Sequence, residues 1–192
     1  MSAAQPIRNL DDLKSLKNYY LKVQPNLRNY ALISTGVNTA LRISDILCLK
    51  WGDVYNFQLQ TFRRHISLTE QKTGKEACIA MNKSLCQALL RYKDSLDAVE
   101  SENYIFSGKY PDTHLSRSQA FRIIKHACEE LHLSEHISCH SLRKTFGYHA
   151  WNSGADPAIL MIIYNHSSFS ITKRYLGIEQ DDKDQIFLNL NL

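Results

Sequence analysis

The 192-residue chain has only 7 glycines, 4 prolines and 5 cysteines. The glycines and prolines are scattered, so nothing reads as a linker. The whole of residues 1–192 is expected to form one domain, long enough to bury a sizeable core. The cysteines (Cys48, Cys78, Cys86, Cys128 and Cys139) are odd in number and form no Cys-x-x-Cys. That argues against a disulfide framework and fits reduced thiols in the cytoplasm. No stretch approaches the roughly 20 apolar residues of a membrane span. Met1 to Asn9 lack the charged start and apolar block of a signal peptide. Repeats and low-complexity segments are also missing. What remains, 44% apolar and 22% charged residues, is the composition of an ordinary globular domain.

Charge is distributed unevenly. After Tyr175, Glu179, Asp181, Asp182 and Asp184 face a single Lys183, so the body is more basic than the net +4 of the chain. A basic body suits a polyanion such as DNA, although an ordinary solvated basic surface has the same composition.

The periodicity is mostly helical. Asn9 is placed to cap a helix through Leu10, Leu13, Leu16, Tyr20 and Leu21, ended by Pro25. A second helix runs from Leu27 toward Val37, and Ser44 starts a short one stopped by Trp51-Gly52-Asp53. The period then changes. Thr61 to Leu68 and Glu76 to Met81 read as strands around a Thr73-Gly74 turn, with Val54 to Leu59 as a third. Asn82 caps a helix reaching Leu96, and Ser116 caps one through Leu131. Another helix runs from Ser141 to Asn152 and stops at Gly154. Asp156-Pro157 restarts a helix, Ser170 caps the one holding Tyr175, and a small apolar element ends the chain. The expected class is α+β, mostly helical, with one small three-stranded antiparallel sheet near residues 54–80.

Three segments carry the chemistry: Thr39-Ala40-Leu41-Arg42-Ile43-Ser44-Asp45, His140-Ser141-Leu142-Arg143, and Asn165-His166-Ser167-Ser168 with Tyr175 nine residues after the histidine. Lys72 lies in the expected hairpin. This set can transfer a phosphoryl group. The transition state gathers negative charge on the non-bridging oxygens, which a planar, permanently charged guanidinium meets with paired hydrogen bonds. Arg42 and Arg143 can clamp one phosphate. His140 shares a helix face with Arg143 at i, i+3, and His166 adds a donor. Each preorganised donor of this kind is worth roughly 3–4 kcal/mol. A tyrosine, with a pKa of about 10, needs nearby cations before it attacks. A hairpin lysine can protonate a leaving oxygen. Taken singly, Arg42 reads as a surface ion pair with a neighbour such as Asp45, Lys72 as a solvated turn residue, the histidines as helix decoration, and Tyr175 as one of ten packing tyrosines. Their joint order changes the odds.

That order resembles the tyrosine recombinase, or phage integrase, family. The family pattern has an Arg in a Gly/Ala-Leu-Arg-x-Ser-Glu/Asp segment, a hairpin Lys, a His-x-x-Arg, a His or Trp, and a Tyr nine residues later. Arg42, Lys72, His140, Arg143, His166 and Tyr175 fill the six places, Asp45 matches the acidic residue, and the resemblance runs from about residue 28 to 178. It implies the catalytic-domain fold of that family and site-specific recombination of double-stranded DNA. Tyr175 is implied as nucleophile, forming a 3′-phosphotyrosyl link, with Lys72 as general acid. Arg42, His140, Arg143 and His166 would hold the phosphate, and Asp45 would orient Arg42 or its neighbours. No metal or cofactor is implied. The resemblance also implies a homo-oligomer, tetrameric on DNA and a monomer or weak dimer when free, working in a bacterial or phage cytoplasm at the nucleoid. About 40 residues precede Arg42, too few for the N-terminal core-binding domain most members carry, so the expectation is an isolated or naturally short catalytic domain. Residues 178–192 would form a tail that packs on its own domain or on a neighbour.

Three other readings stay open on sequence alone. The first is relaxation of DNA in the manner of a type IB topoisomerase, and the second a regulator that binds DNA without cutting it. The third is a zinc site from His126, Cys128, His132, His136, Cys139 and His140, which lack the usual finger spacing.

Overall fold

Asn9 opens the first helix as the sequence suggests. Its side chain accepts from the backbone N–H groups of Asp11 and Asp12, a cap worth about 1 kcal/mol. The computed structural model describes residues 4–110, 112–133 and 136–190. Helix α1 (Leu10–Asn18) continues into a π-helical turn, Tyr19–Val23, which buries Tyr19 and Tyr20. The Tyr20 hydroxyl donates to the Ile123 carbonyl at 2.8 Å.

Helix α2 (Leu27–Thr39), capped by Asn26, buries Ala31 through Gly36 on almost every side. It packs against α5 (Lys83–Lys93) and α7 (Cys139–Asn152). The α7 packing is close enough that a Cβ on Gly36 would lie 2.6 Å from Leu142 Cδ1. A second close approach matters more for function. A Cβ on Gly147 of α7 would meet Leu176 Cδ2 and the Tyr164 hydroxyl, each at 2.5 Å. Only glycine lets α8 (Pro157–Tyr164) and α9 (Phe169–Leu176), the helix carrying Tyr175, sit this near to α7.

Between α2 and α5 lie the short helices α3 (Ile43–Leu47) and α4 (Trp51–Val54) and the strands. The expected three-stranded sheet is instead two separate antiparallel pairs. Strand β1 (Tyr55–Asn56) pairs with β2 (Thr61–Phe62), and β3 (His65–Thr69) pairs with β4 (Glu76–Ala80), with Ile66 opposite Ile79. The expected Thr61–Leu68 strand breaks at Arg63-Arg64, where the Arg63 side chain turns away to donate to the Gly52 carbonyl at 2.7 Å.

Several boundaries also move. Arg42, not Ser44, occupies the N-cap of α3. Trp51-Gly52-Asp53 forms α4 rather than a stop, because the Asp53 carboxylate accepts from the Lys50 N–H at 2.8 Å. Helix α5 ends at Lys93, short of Leu96. Helix α7 starts at Cys139 because Ser141 is used inside a capping box, its Oγ accepting from the Ser138 N–H at 2.9 Å. Ser168, not Ser170, caps α9.

The chain closes with α6 (Arg117–Glu130), capped by Ser116, and α10 (Glu179–Asn189). The acidic run pins the start of α10 to its own domain. Asp182 accepts from Trp151 Nε1 at 3.1 Å and from Lys173 Nζ at 2.5 Å, and Asp181 pairs with Arg8 at 3.1 Å. Farther along, Ile186, Phe187, Leu188 and Leu190 are exposed. All five cysteines are free. Among the described residues no three His, Cys, Asp or Glu side chains converge on a point where a metal would sit. His126 instead contacts the Tyr19 hydroxyl and Gln24, each at 3.2 Å. No helix among the described residues is long and apolar enough to cross a membrane.

Candidate active site

The site begins where α2 stops. Ala40 takes the left-handed conformation (φ 54°, ψ 14°), which costs an alanine roughly 1–2 kcal/mol. That turn presents the Ala40 carbonyl to Arg143 Nη1, which donates to it, and sends Arg42 into a cleft of about 720 Å³. All six candidate residues line this cleft: Arg42, Lys72, His140, Arg143, His166 and Tyr175. They come from the α2–α3 junction, the β3–β4 turn, the start of α7, the α8–α9 junction and α9.

Arg143 is 4% exposed and held from several sides. Its guanidinium lies 4.8 Å over the Tyr164 ring, and the Tyr164 hydroxyl donates to its carbonyl at 2.7 Å. Buried cations need such partners. Lys72 is exposed at a turn whose base is fixed: the Gln71 N–H donates to Asp45 Oδ1 at 3.0 Å, and the Gln71 amide donates to Cys48 Sγ. Asp45 is therefore bonded to the lysine-bearing hairpin rather than to Arg42.

His166 Nδ1 lies 3.1 Å from Thr172 Oγ1, which leaves Nε2 as the nitrogen for a substrate oxygen. The rings of His166 and Tyr175 meet edge to face at 5.3 Å. Burial raises the Tyr175 phenol above its ordinary pKa, while the charge and hydrogen bond of Arg143 and the charge of Arg42 pull against it. At rest the Tyr175 phenol keeps its proton. Burial first, then Arg143 and Arg42, pushes His166 below the usual histidine value. Partial desolvation, then Lys144, Arg143, Lys72 and Arg42, does the same to His140. Both imidazoles are neutral at pH 7.

This has a consequence for stability. Unfolded histidines take up protons near pH 6.5, whereas these two in the fold do not until lower pH, so the unfolded state binds more protons in that window. Stability should fall as pH drops from about 6.5 through the depressed folded values. In urea unfolding at pH 7.5 and 5.5, replacing both His140 and His166 by Gln should shrink the acid-induced loss. An undiminished loss would assign it to other groups.

Sequence reasoning missed several members of the site. Glu70, 2% exposed, pairs with Arg42 at 2.8 Å and lies 3.9 Å from Arg143. It also accepts from Thr73 Oγ1 at 2.6 Å and Asn165 Nδ2 at 3.0 Å. In sequence it follows the expected Thr61 to Leu68 strand, and nothing in Thr-Glu-Gln-Lys distinguishes it. Arg117, at the start of α6, also lines the cleft. Lys144, one residue after Arg143, is 8% exposed and stands 5.1 Å from the centre of the Tyr175 ring.

The chain has recognisable relatives. Residues 9–181 match the model of the phage integrase family. The chain is 43% identical to the probable integrase/recombinase YoeC of Bacillus subtilis, over 94% of this chain and 93% of that protein. It is 26% identical to tyrosine recombinase XerD of Rickettsia bellii, over 95% of this chain but 63% of that longer protein. Among solved structures, the XerA recombinase superposes with a TM-score of 0.74 at 22% identity, covering 97% of this chain and 66% of XerA. The XerH recombinase, in a post-cleavage complex with palindromic difH substrate, superposes at 0.73 with 15% identity, covering 96% and 53%. With the family model matching most of its length, the chain belongs to the phage integrase family, the tyrosine recombinases, enzymes of site-specific DNA recombination by strand cleavage and rejoining.

Proposed function

We propose that this chain acts as one catalytic unit, cutting DNA through Tyr175 and passing the strand to a second site. The observation that carries this reading is the convergence of all six side chains on one cleft from five separate segments. The Tyr175 oxygen attacks the scissile phosphorus as its phenolic proton passes to the neutral imidazole of His140, which lines the same cleft, and the bond to the 5′ oxygen breaks. That oxygen takes the Lys72 proton and leaves as a 5′ hydroxyl, with the 3′ phosphate on Tyr175. Arg42 and Arg143 hold the non-bridging oxygens, and His166 and the newly protonated His140 donate to them. A 5′ hydroxyl from a partner strand reverses the step, so the energy of the phosphodiester is kept in the phosphotyrosyl link. Asp45 acts through the hairpin, fixing Gln71 and hence where Lys72 emerges.

Strand transfer needs more than one protomer, and we assign the contact to the exposed apolar end of α10. Asp181 and Asp182 hold the first turn of that helix at home, while Ile186, Phe187, Leu188 and Leu190 are left for a second copy. On this reading the protein works in a bacterial or phage cytoplasm, at the nucleoid. The test uses DNA carrying two copies of a site recovered by covalent trapping. The wild type should exchange strands between the sites, whereas a chain ending at Gln185 should cut each site and fail to exchange. Relaxation of supercoils without exchange by the wild type would favour a topoisomerase, and full exchange by the shortened chain would remove the role given to α10.

A further inference from the structure

Four cationic side chains, Arg42, Lys72, Arg117 and Arg143, line one cleft. Like charges gathered at a partly dry site repel one another, so something must offset them before DNA arrives. The offset within the fold is Glu70, which directly follows strand β3 and is 2% exposed. Its carboxylate lies where four separate segments meet. Oε2 is 2.8 Å from Arg42 Nη1, at the α2–α3 junction. The same oxygen accepts from Thr73 Oγ1 at 2.6 Å, beside Lys72, and from Asn165 Nδ2 at 3.0 Å, beside His166. Oε1 is 3.9 Å from Arg143 Nη1 on α7.

We propose that Glu70 is the positioning residue of this cleft, a fixed internal anion that registers both arginines, the Lys72 turn and the His166 loop to one another. The proposal rests on the recombinase reading above and adds to it the group that holds the machinery in place. Glu70 never touches the substrate. Burial alone would raise its pKa, but Thr73, Arg42 and Arg143 together hold it below the ordinary glutamate value, so it stays ionised across the working range. An anion in this place has two opposite effects. It sets the geometry in which the arginines meet a phosphate, and it draws part of their charge inward, so that they bind a free anion less tightly than an unopposed pair would.

That opposition makes the role testable. Glu70→Gln keeps the shape and can still bond Thr73 or Asn165, but loses the charge. Glu70→Asp keeps the charge and shortens the reach. Inorganic phosphate binding is followed on the free protein through the ring signals of His140 and His166, and covalent adducts are counted on DNA fragments. Glu70→Gln should bind phosphate several-fold more tightly, on the order of three- to tenfold given one removed charge. It should also form adducts more slowly, by about 10²-fold, the cost of a roughly 1 Å misplacement. Glu70→Asp should show wild-type phosphate affinity with partly recovered cleavage.

A residue that merely supports the fold would give weaker phosphate binding and weaker cleavage together, and Asp would rescue neither. That result, or undisturbed cleavage in Glu70→Gln, overturns the proposal. If Glu70→Gln does not fold, Glu70→Asp decides alone. Slowed cleavage at wild-type phosphate affinity supports the role, while full-rate cleavage or joint loss overturns it. A wild type that forms no adduct sinks the recombinase reading, yet the phosphate titration still decides how Glu70 acts on the arginines.

Discussion

Replacing Tyr175 by Phe should abolish covalent DNA–protein product while leaving DNA binding as it was. The ring of Tyr175 is part of the packing: it meets Tyr164 at 5.5 Å and His166 at 5.3 Å, and Lys144 lies 5.1 Å from its centre. Phe keeps that ring and all its apolar contacts, so the α7–α9 packing survives. Only the hydroxyl is lost. Removing a covalent nucleophile costs at least about 10⁴-fold, judging by other enzymes of this kind. In the proposed mechanism Arg42 and Arg143, not the phenol, hold the phosphate, so a gel-shift affinity should not move. Loss of binding and cleavage together would mean that Tyr175 supports the fold or the interface and is not the attacking group.

The second large effect belongs to Lys72. Its turn is bolted at the base by Asp45 and Cys48 through Gln71, and the ammonium is exposed at the cleft. This geometry suits a general acid that closes on the leaving 5′ oxygen. Lys72→Ala should slow cleavage by about 10²- to 10⁴-fold. The defect should disappear on a substrate whose scissile 5′ oxygen is replaced by sulfur. A thiol with a pKa of about 8.5 leaves as its anion and needs no proton. Single-turnover cleavage on the two substrates provides the measurement. An equal defect on both would make Lys72 a phosphate contact instead of an acid.

The residues that meet in the cleft were legible in the sequence as a group because the proposed chemistry is tied to spacing. His140 and Arg143 stand i, i+3 at the start of a helix, and Tyr175 follows His166 by nine residues across one helix junction. Most helices were legible too, since Asn9, Asn82, Ser116 and Asp156 cap where their side-chain chemistry allows. The sheet was not. The rough alternation of Thr61 to Leu68 does not reveal that the run changes partners at Arg63 and Arg64, where the Arg63 N–H donates to the Val54 carbonyl at 2.8 Å and the Arg64 carbonyl accepts from the Met81 N–H at 2.9 Å. Cap choice among nearby serines was equally hidden, because Ser138 and Ser141 serve one capping box from opposite ends. Asp45 was expected to orient Arg42 or its neighbours, but its partner, the Gln71 backbone, is a contact made through the fold. Glu70 was invisible for the same reason. A glutamate is almost never fully buried unless paired, and its partners lie at Arg42, Arg143 and Asn165, far along the chain.

The account turns on one bond, between the Tyr175 oxygen and a DNA 3′ phosphate. The direct measurement is to trap the wild-type protein on DNA in buffer containing EDTA, digest both components, and map the surviving adduct by mass spectrometry. The account predicts a nucleotide 3′ phosphate on the peptide containing Tyr175, formed with the metal chelated. An adduct on another side chain, or cleavage that appears only when a divalent metal is restored, would contradict it.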